Sequence, residues 1–392
     1  MNFTVATRMN GFKESVFNEL SMYKKLKIAE GKEIIDLSVG SPDLPPPAYI
    51  TDELNKHIKD PTAYGYTLTG TNEFKEAVSS YYRTRYNVSL QATNEVLMLM
   101  GSQDGLVHLP MVFANPEDYI LVPDPGYTAY ATAIAMAGAK AFPLPLKAEN
   151  EFIPDLSNVP TEIAQKAKLM ILNFPGNPIP ALASVEFFQE VIDFAKKYNI
   201  IVVHDFAYSE LYYEKEKPIS FLSIPGARDV GVEFNSLSKS FNLAGCRIGY
   251  LVGNPGIIQS LQVLKSNLDY GVFLPIQKAA IAALTNSSGF SDELRNTYKN
   301  RRDTLVNGLN ELGWNVEAPK ASMFVWAEIP KGYTSTSFTY ELLDKAGVVV
   351  TPGSAFGETG EGYVRIALVQ DEEILLKVVT KIKNSGLFEG ES

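Results

Sequence analysis

The strongest constraint in this 392-residue chain is a series of short apolar runs, several of them followed at once by polar, chemistry-bearing residues. The runs are Val96–Met100, Tyr119–Val122, Leu169–Leu172, Ile200–Val203 and Gly249–Val252. Each is too short for a buried helix and has the near-continuous hydrophobicity of a strand covered on both faces. Stretches of helical character lie between them. Ala129–Ala139 is rich in alanine, and Val185–Tyr198 carries Phe187, Val191, Ile192 and Ala195 at helical spacing. Strands alternating with helices predict βαβ units and a mostly parallel sheet, an α/β fold.

The last hundred residues have a different pattern. Asp292–Leu312 reads as a long charged helix stopped at Gly313, Phe324–Ile329 as a strand, Ser337–Ala346 as a helix, and Val348–Val350 and Val364–Leu368 as further strands. Asn18–Leu37 reads as a helix and then a strand, too little to fold alone. The expected division is a large domain over 45–290 and a smaller, discontinuous α+β domain from 1–44 and 291–392. The length, equivalent to two or three domains, accommodates both.

Open parallel sheets bind ligands beyond the carboxyl ends of their strands, so the residues after each run are the candidates. Ser102 and Gln103 follow the first run; Asn173 through Asn177 and Pro178 follow Leu172; His204, Asp205 and Tyr208 follow Val203. Ser236, Ser238 and Lys239 follow Val232-Glu233-Phe234, with Arg247 eight residues beyond the lysine. A lysine flanked by hydroxyls can condense with a carbonyl, and serines with an arginine suit a phosphate. A carbonyl and a phosphate on one small ligand point to pyridoxal phosphate. An aspartate such as Asp205 beside its ring nitrogen would keep that nitrogen protonated.

On these residues the chain resembles the class I/II aminotransferases, of the fold type I pyridoxal-phosphate enzymes. Ser236–Gly249 is similar to their lysine signature. The resemblance continues in family order through Ile35–Asp43, Gly70–Ala77, Pro123–Tyr127, Asn177-Pro178, Asp205–Tyr208 and Pro352–Gly357 with Arg365. The diaminopimelate and broad-specificity amino-acid branch is the most similar. The resemblance implies a large domain with a mostly parallel seven-stranded sheet covered by helices, beside the smaller domain.

It also implies roles. Lys239 would form the Schiff base with the cofactor and later shuttle a proton, and Asp205 would pair with the pyridine nitrogen. Tyr208 and Asn177 would bond the ring hydroxyl, and Tyr127 would stack on the ring. Ser102, Gln103, Ser236, Ser238 and Arg247 would surround the phosphate. Arg365, with Gly40 and Asn177, would hold the substrate carboxylate. Family members act as homodimers with shared sites, and Tyr66 or Tyr64 would reach the partner's phosphate. Three places depart from the pattern: Ile179-Pro180 replaces Thr-Gly after Asn177-Pro178, Gly65 occupies the usual register of the partner-reaching tyrosine, and Phe74-Lys75 stands, conservatively, for Leu-Arg at the early helix start.

The implied activity is amino transfer between an L-amino acid and a 2-oxo acid by ping-pong chemistry (EC 2.6.1.-). The alternative is a C–S β-lyase of the same fold. A ligand-sensing regulator would need a DNA-binding domain, for which there is no room before Ile34. The net charge of −10 argues against nucleic-acid or anionic-membrane partners, and the single cysteine, Cys246, leaves neither a disulfide nor a cysteine metal site. His57, His108 and His204 form no metal pattern and read as structural. Met1–Phe17 lacks a signal-peptide core, and prolines break the longest uncharged run, Leu169–Val185. A cytoplasmic enzyme is expected.

Overall fold

The computed structural model describes residues 3–6, 9, 12, 16–286 and 288–388, so most of the Met1–Phe17 reading and the outermost bounds of the expected small domain lie outside the described residues. Among the described residues there are twelve strands: β1 (Ile35–Asp36), β2 (Val96–Leu99), β3 (Tyr119–Asp124), β4 (Lys140–Pro145), β5 (Ala167–Leu172), β6 (Ile201–Asp205), β7 (Gly231–Ser236), β8 (Gly249–Gly253), β9 (Phe324–Glu328), β10 (Val348–Val349), β11 (Thr351–Pro352) and β12 (Tyr363–Ala367). The central sheet has seven strands in the order β2-β8-β7-β6-β5-β3-β4.

Both faces of this sheet are covered, and the period-two alternation of side chains shows it. Val96 and Met98 of β2 and Met170 and Leu172 of β5 enter one apolar cluster with Phe188 and Val191 of the helix Val185–Tyr198. Their neighbours Leu97, Leu99, Leu169 and Ile171 enter the opposite cluster. There they meet Leu106 and Leu109 of the helix Ser102–Phe113, and Ile258 and Leu261 of the helix Pro255–Lys265. Burial on two faces is why these strands are apolar throughout.

Two features differ from the sequence reading. The Gly249–Val252 run forms β8, but antiparallel to both its neighbours β2 and β7. Strand direction leaves no trace in an apolar run that is buried on both sides. The strand β4 was not expected, because Pro143 and Pro145 interrupt it. It is one of the sheet's two edge strands, parallel to β3 alone, where prolines are tolerated.

A separate three-stranded antiparallel sheet, β11-β12-β9, and the parallel pair β1-β10 lie toward the C-terminal part. They pack with Leu305 and Leu309 of the helix Phe290–Glu311 and with Phe338 and Leu342 of the helix Ser335–Ala346. Ile35 and Leu37 join this same cluster, so the early helix Val16–Ala29 and β1 lead into it. Tyr208, Leu211 and Tyr213 also join it, although they follow β6 of the central sheet. Among the described residues no helix is long and apolar enough to cross a membrane.

Candidate active site

Sheet topology explains why distant residues meet. The carboxyl ends of β2, β3, β5, β6 and β7 lie on one edge of the sheet. The antiparallel β8 presents its start there, since Gly249 pairs with Leu99 and with Ser236. Arg247, two residues before that start, is thereby delivered to the same edge as Ser102, Asp205 and Lys239.

A cavity of about 290 Å³ at this edge is lined by Gly40, Ser102, Gln103, Tyr127, Asn177, Asp205, Tyr208, Ser236, Ser238, Lys239, Arg247 and Arg365, with Ser38 and Asn173 among the remaining lining residues. Every residue given a role by the family resemblance lines it except Tyr66 and Tyr64; Pro178 and His204, which also follow the strands, do not. Tyr66 is 82% exposed against Tyr270, and the Tyr64 hydroxyl donates to the Ile58 carbonyl of its own chain. A larger cavity of about 630 Å³, bordered by Phe152, Pro180, Lys320 and Trp326, holds none of the candidates. Size therefore does not locate the chemistry here; the convergence of polar groups does.

The Lys239 Nζ donates to the Gly40 carbonyl at 2.7 Å. Burial, together with the positive charges of Arg365 and Arg247, pushes its pKa down to about 8. A lysine so placed keeps far more free amine near neutrality than an exposed lysine does and can act as a nucleophile. Asp205 ends β6, fully enclosed, and burial raises its carboxyl. Tyr130 Oη donates to Asp205 Oδ2 at 2.8 Å and offsets part of that rise. A cationic ring nitrogen facing Asp205 would restore the charge that burial disfavours. Burial likewise raises the Tyr127 and Tyr208 hydroxyls.

The phosphate end fits its expected occupant. The helix Ser102–Phe113 begins at Gly101, whose φ of +80° few other residues adopt, and no side chain caps its first turn. Its N–H groups and positive dipole end point into the cavity's edge, a natural anion site. A Cβ on Gly101 would strike the Arg247 guanidinium, so only glycine leaves Arg247 its place. Ser236 Oγ donates to Ser238 Oγ at 2.9 Å and accepts from the Ser238 amide. Hydroxyls, amides and a guanidinium together match a phosphate dianion.

At the opposite end Arg365 is buried on β12, stacked over the rings of Phe324 and Phe356. Its Nη1 donates to Asn177 Oδ1 at 2.7 Å, and its Nη2 to the Ser38 carbonyl at 2.5 Å and to Thr351 Oγ1. Its Nε has no partner. An arginine with donors left over, its pKa lowered to about 10 by burial, lacks an anion. A carboxylate supplies one.

The sequence reading missed Tyr130, and it passed over Asn173, whose Nδ2 donates to the Asp205 carbonyl at 2.7 Å and whose Oδ1 receives the Asn177 amide. Asn173 heads the Asn173–Pro178 segment that follows β5, and Tyr130 lies one turn after Tyr127, where the surrounding alanines hide its polar end in the sequence. Its three histidines are paired: His57 with Glu53, His108 with Asp104, and His204 with Glu233 and the Phe174 carbonyl. Among the described residues no group of His, Cys, Asp or Glu is arranged to hold a metal ion.

The family described as aminotransferase class I and II matches residues 32–382. The chain belongs to that family. An LL-diaminopimelate aminotransferase 2 of Trichormus variabilis is 44% identical over 384 residues, covering 97% of this chain and 98% of its own length. An LL-diaminopimelate aminotransferase of Halothermothrix orenii is 43% identical over 383 residues, again 97% and 98% of the two chains. Among solved structures, substrate-bound BacF from Bacillus subtilis superposes with a TM-score of 0.95 at 38% identity over the whole of both chains. A probable N-succinyldiaminopimelate aminotransferase from Thermus thermophilus gives 0.90 at 34% identity, covering 95% of this chain and all of that one. For this aminotransferase-family chain the comparisons support the fold type I architecture and transamination. They do not favour the C–S lyase.

Proposed function

We propose that this aminotransferase uses pyridoxal phosphate held at the Lys239 cavity to move an amino group between an L-α-amino acid and a 2-oxo acid. The observation that carries the reading is the Lys239 amine, its pKa pushed down to about 8, in one cavity with Asp205 and Arg365. When bound, the cofactor supplies a carbonyl that condenses with amines and a ring that accepts the electrons released at Cα.

The remaining work belongs to the chain. Ser102, Gln103, Ser236, Ser238 and Arg247 bind the phosphate and fix the ring's register. Asp205, steadied by Tyr130, holds a proton at the ring nitrogen. Tyr127 covers one ring face, and Tyr208 and Asn177 donate to the ring hydroxyl. Arg365 and Asn177 orient the substrate by its α-carboxylate, beside Gly40. Lys239 Nζ then takes the proton from the substrate Cα and returns it on the other side of the reaction.

The domain division at 45–290 against 1–44 and 291–392 is part of this reading, supported by two apolar clusters that draw mainly on the two parts of the chain, with Trp326 and Phe356 on one side and Tyr208, Leu211 and Tyr213 on the other crossing between them. So is a homodimer. Tyr64, Tyr66, Leu68 and Tyr270 are all more than half exposed, an aromatic surface that a second copy would cover, with Tyr66 or Tyr64 reaching its phosphate. The acidic balance and single cysteine support a cytoplasmic setting. The names of the relatives make LL-diaminopimelate the first donor to assay, with 2-oxoglutarate as acceptor. The test is the visible spectrum of the cofactor-loaded protein during titration with single amino acids and no oxo acid. Stoichiometric conversion to the pyridoxamine form supports the reading; pyruvate accumulating while the starting band persists would contradict it.

A further inference from the structure

Ser322 is fully buried just before β9, and it touches neither the cavity nor any group assigned above. Its φ is +68°, a left-handed conformation that glycine adopts freely and serine does not. A serine here carries a backbone cost that glycine would avoid, so what its hydroxyl bonds to bears on why it stands there. Its Oγ donates to the Gly176 carbonyl at 2.7 Å. Its backbone is fixed by two further bonds: its amide donates to the Leu211 carbonyl at 2.8 Å, and its carbonyl receives the Tyr213 hydroxyl.

Gly176 belongs to the turn that presents Asn177. The Gly176 amide donates to the Ile179 carbonyl at 3.0 Å, and the Asn177 amide to Asn173 Oδ1 at 2.9 Å. A Cβ on Gly176 would lie 2.5 Å from the Asn173 carbonyl oxygen, so the turn has no slack. Asn177 Oδ1 in turn receives Arg365 Nη1. Two residues beyond Ser322, the Phe324 ring lies under the Arg365 guanidinium at 4.3 Å. One short segment therefore fixes both halves of the carboxylate site, Asn177 through the Ser322 hydroxyl and Arg365 through the Phe324 ring.

We infer that Ser322 is a positioning residue for substrate carboxylate recognition, acting through the Gly176 carbonyl on Asn177 and so on Arg365. This rests on the reading of Arg365 and Asn177 as the carboxylate site. A lost hydroxyl leaves the Gly176 carbonyl unpaired and frees the turn to move, which loosens the binding of every substrate that carries an α-carboxylate. The phosphate end, held by other elements, is untouched.

The test uses the cofactor-loaded enzyme and two variants. Ser322→Gly removes the hydroxyl while suiting the backbone, so it separates the hydroxyl's role from misfolding; Ser322→Ala is its strained companion. KM is measured for the donor and for 2-oxoglutarate. The Kd of glutarate, which is 2-oxoglutarate without its oxo group and cannot react, is measured by calorimetry. Ser322→Gly is expected to raise both KM values and the glutarate Kd by about five- to tenfold, as loss of one buried hydrogen bond does. The cofactor dissociation constant, to which Asn177 adds one ring contact among many, should rise clearly less than the KM values, and kcat should stay within about twofold of wild type. Unchanged KM and glutarate Kd in Ser322→Gly would overturn the inference, as would an equal loss of cofactor affinity. A wild-type protein that fails to bind glutarate would overturn it too, through the carboxylate site. Failure of the aminotransferase reading is distinguishable: wild type would then not turn over, while glutarate still reports on the site.

Discussion

At the scale of single residues, the account depends on what burial does to charge. Lys239 has its pKa lowered from 10.5 to about 8 by burial and by Arg365 and Arg247. In the cofactor-free protein the amine is protonated below that value and free above it. Capture of pyridoxal phosphate, followed by visible absorbance, is therefore expected to quicken as pH rises through about 8 and then level off; a rise centred near 10 would mean an ordinary exposed lysine. Arg365 carries the second prediction. Arg365→Ala removes a charge-assisted carboxylate partner and should raise KM for donor and acceptor by roughly tenfold to a hundredfold, with cofactor affinity changed far less. Steady-state kinetics beside a cofactor titration decides it. Lys239, Asp205 and Arg365 were legible because their neighbours, Ser-Leu-Ser before the lysine and Ala-Tyr after the Asp205-Phe206 pair, carry the signature. Ser322 and Tyr130 were not, because each acts through a single hydroxyl bonded to a partner far along the chain.

At the scale of elements, strands declared themselves by apolar runs and helices by spacing. The helix Val185–Tyr198 has the bounds its pattern predicts, because Ser184 caps it at one end and Asn199, in the left-handed conformation, stops it at the other. The direction of β8 and the existence of β4 were not legible. Both are set by which strand lies alongside, a property of the assembled sheet. The start of the helix Ser102–Phe113 gives the prediction at this level. Gly101→Ala combines a positive φ with a Cβ directed at Arg247. It should weaken cofactor binding and lower stability by about 1–2 kcal/mol, measured by cofactor titration and by denaturant unfolding of the cofactor-free protein. Unchanged cofactor affinity would mean that Arg247 does not depend on this turn.

At the scale of the whole molecule, the cavity exists because parts far apart in sequence are tied together. Glu210, almost fully buried, receives Arg85 of the helix Asn72–Tyr86 in a bidentate pair, Arg295 of the helix Phe290–Glu311 at 3.2 Å, and the hydroxyls of Tyr81 and Tyr86. Burial opposes its charge, but these partners hold its carboxyl below the usual range. Glu210→Ala leaves Arg85, a quarter exposed, without a carboxylate and Arg295 with Asp292 alone, and should cost about 3 kcal/mol of stability. A denaturant midpoint close to wild type would show that water replaces the carboxylate. Nothing in the sequence near Tyr208-Ser209-Glu210 announces this cluster; its cations lie 125 residues earlier and 85 later.

The central claim is that Lys239, among all the lysines of the chain, takes the cofactor's carbonyl. The direct measurement is borohydride reduction of the pyridoxal-phosphate-loaded protein, followed by peptide mass spectrometry. The account predicts one stoichiometric phosphopyridoxyl group, on the peptide containing Lys239, and none in Lys239→Ala. Stoichiometric labelling of another lysine, or no labelling after full loading, would contradict it.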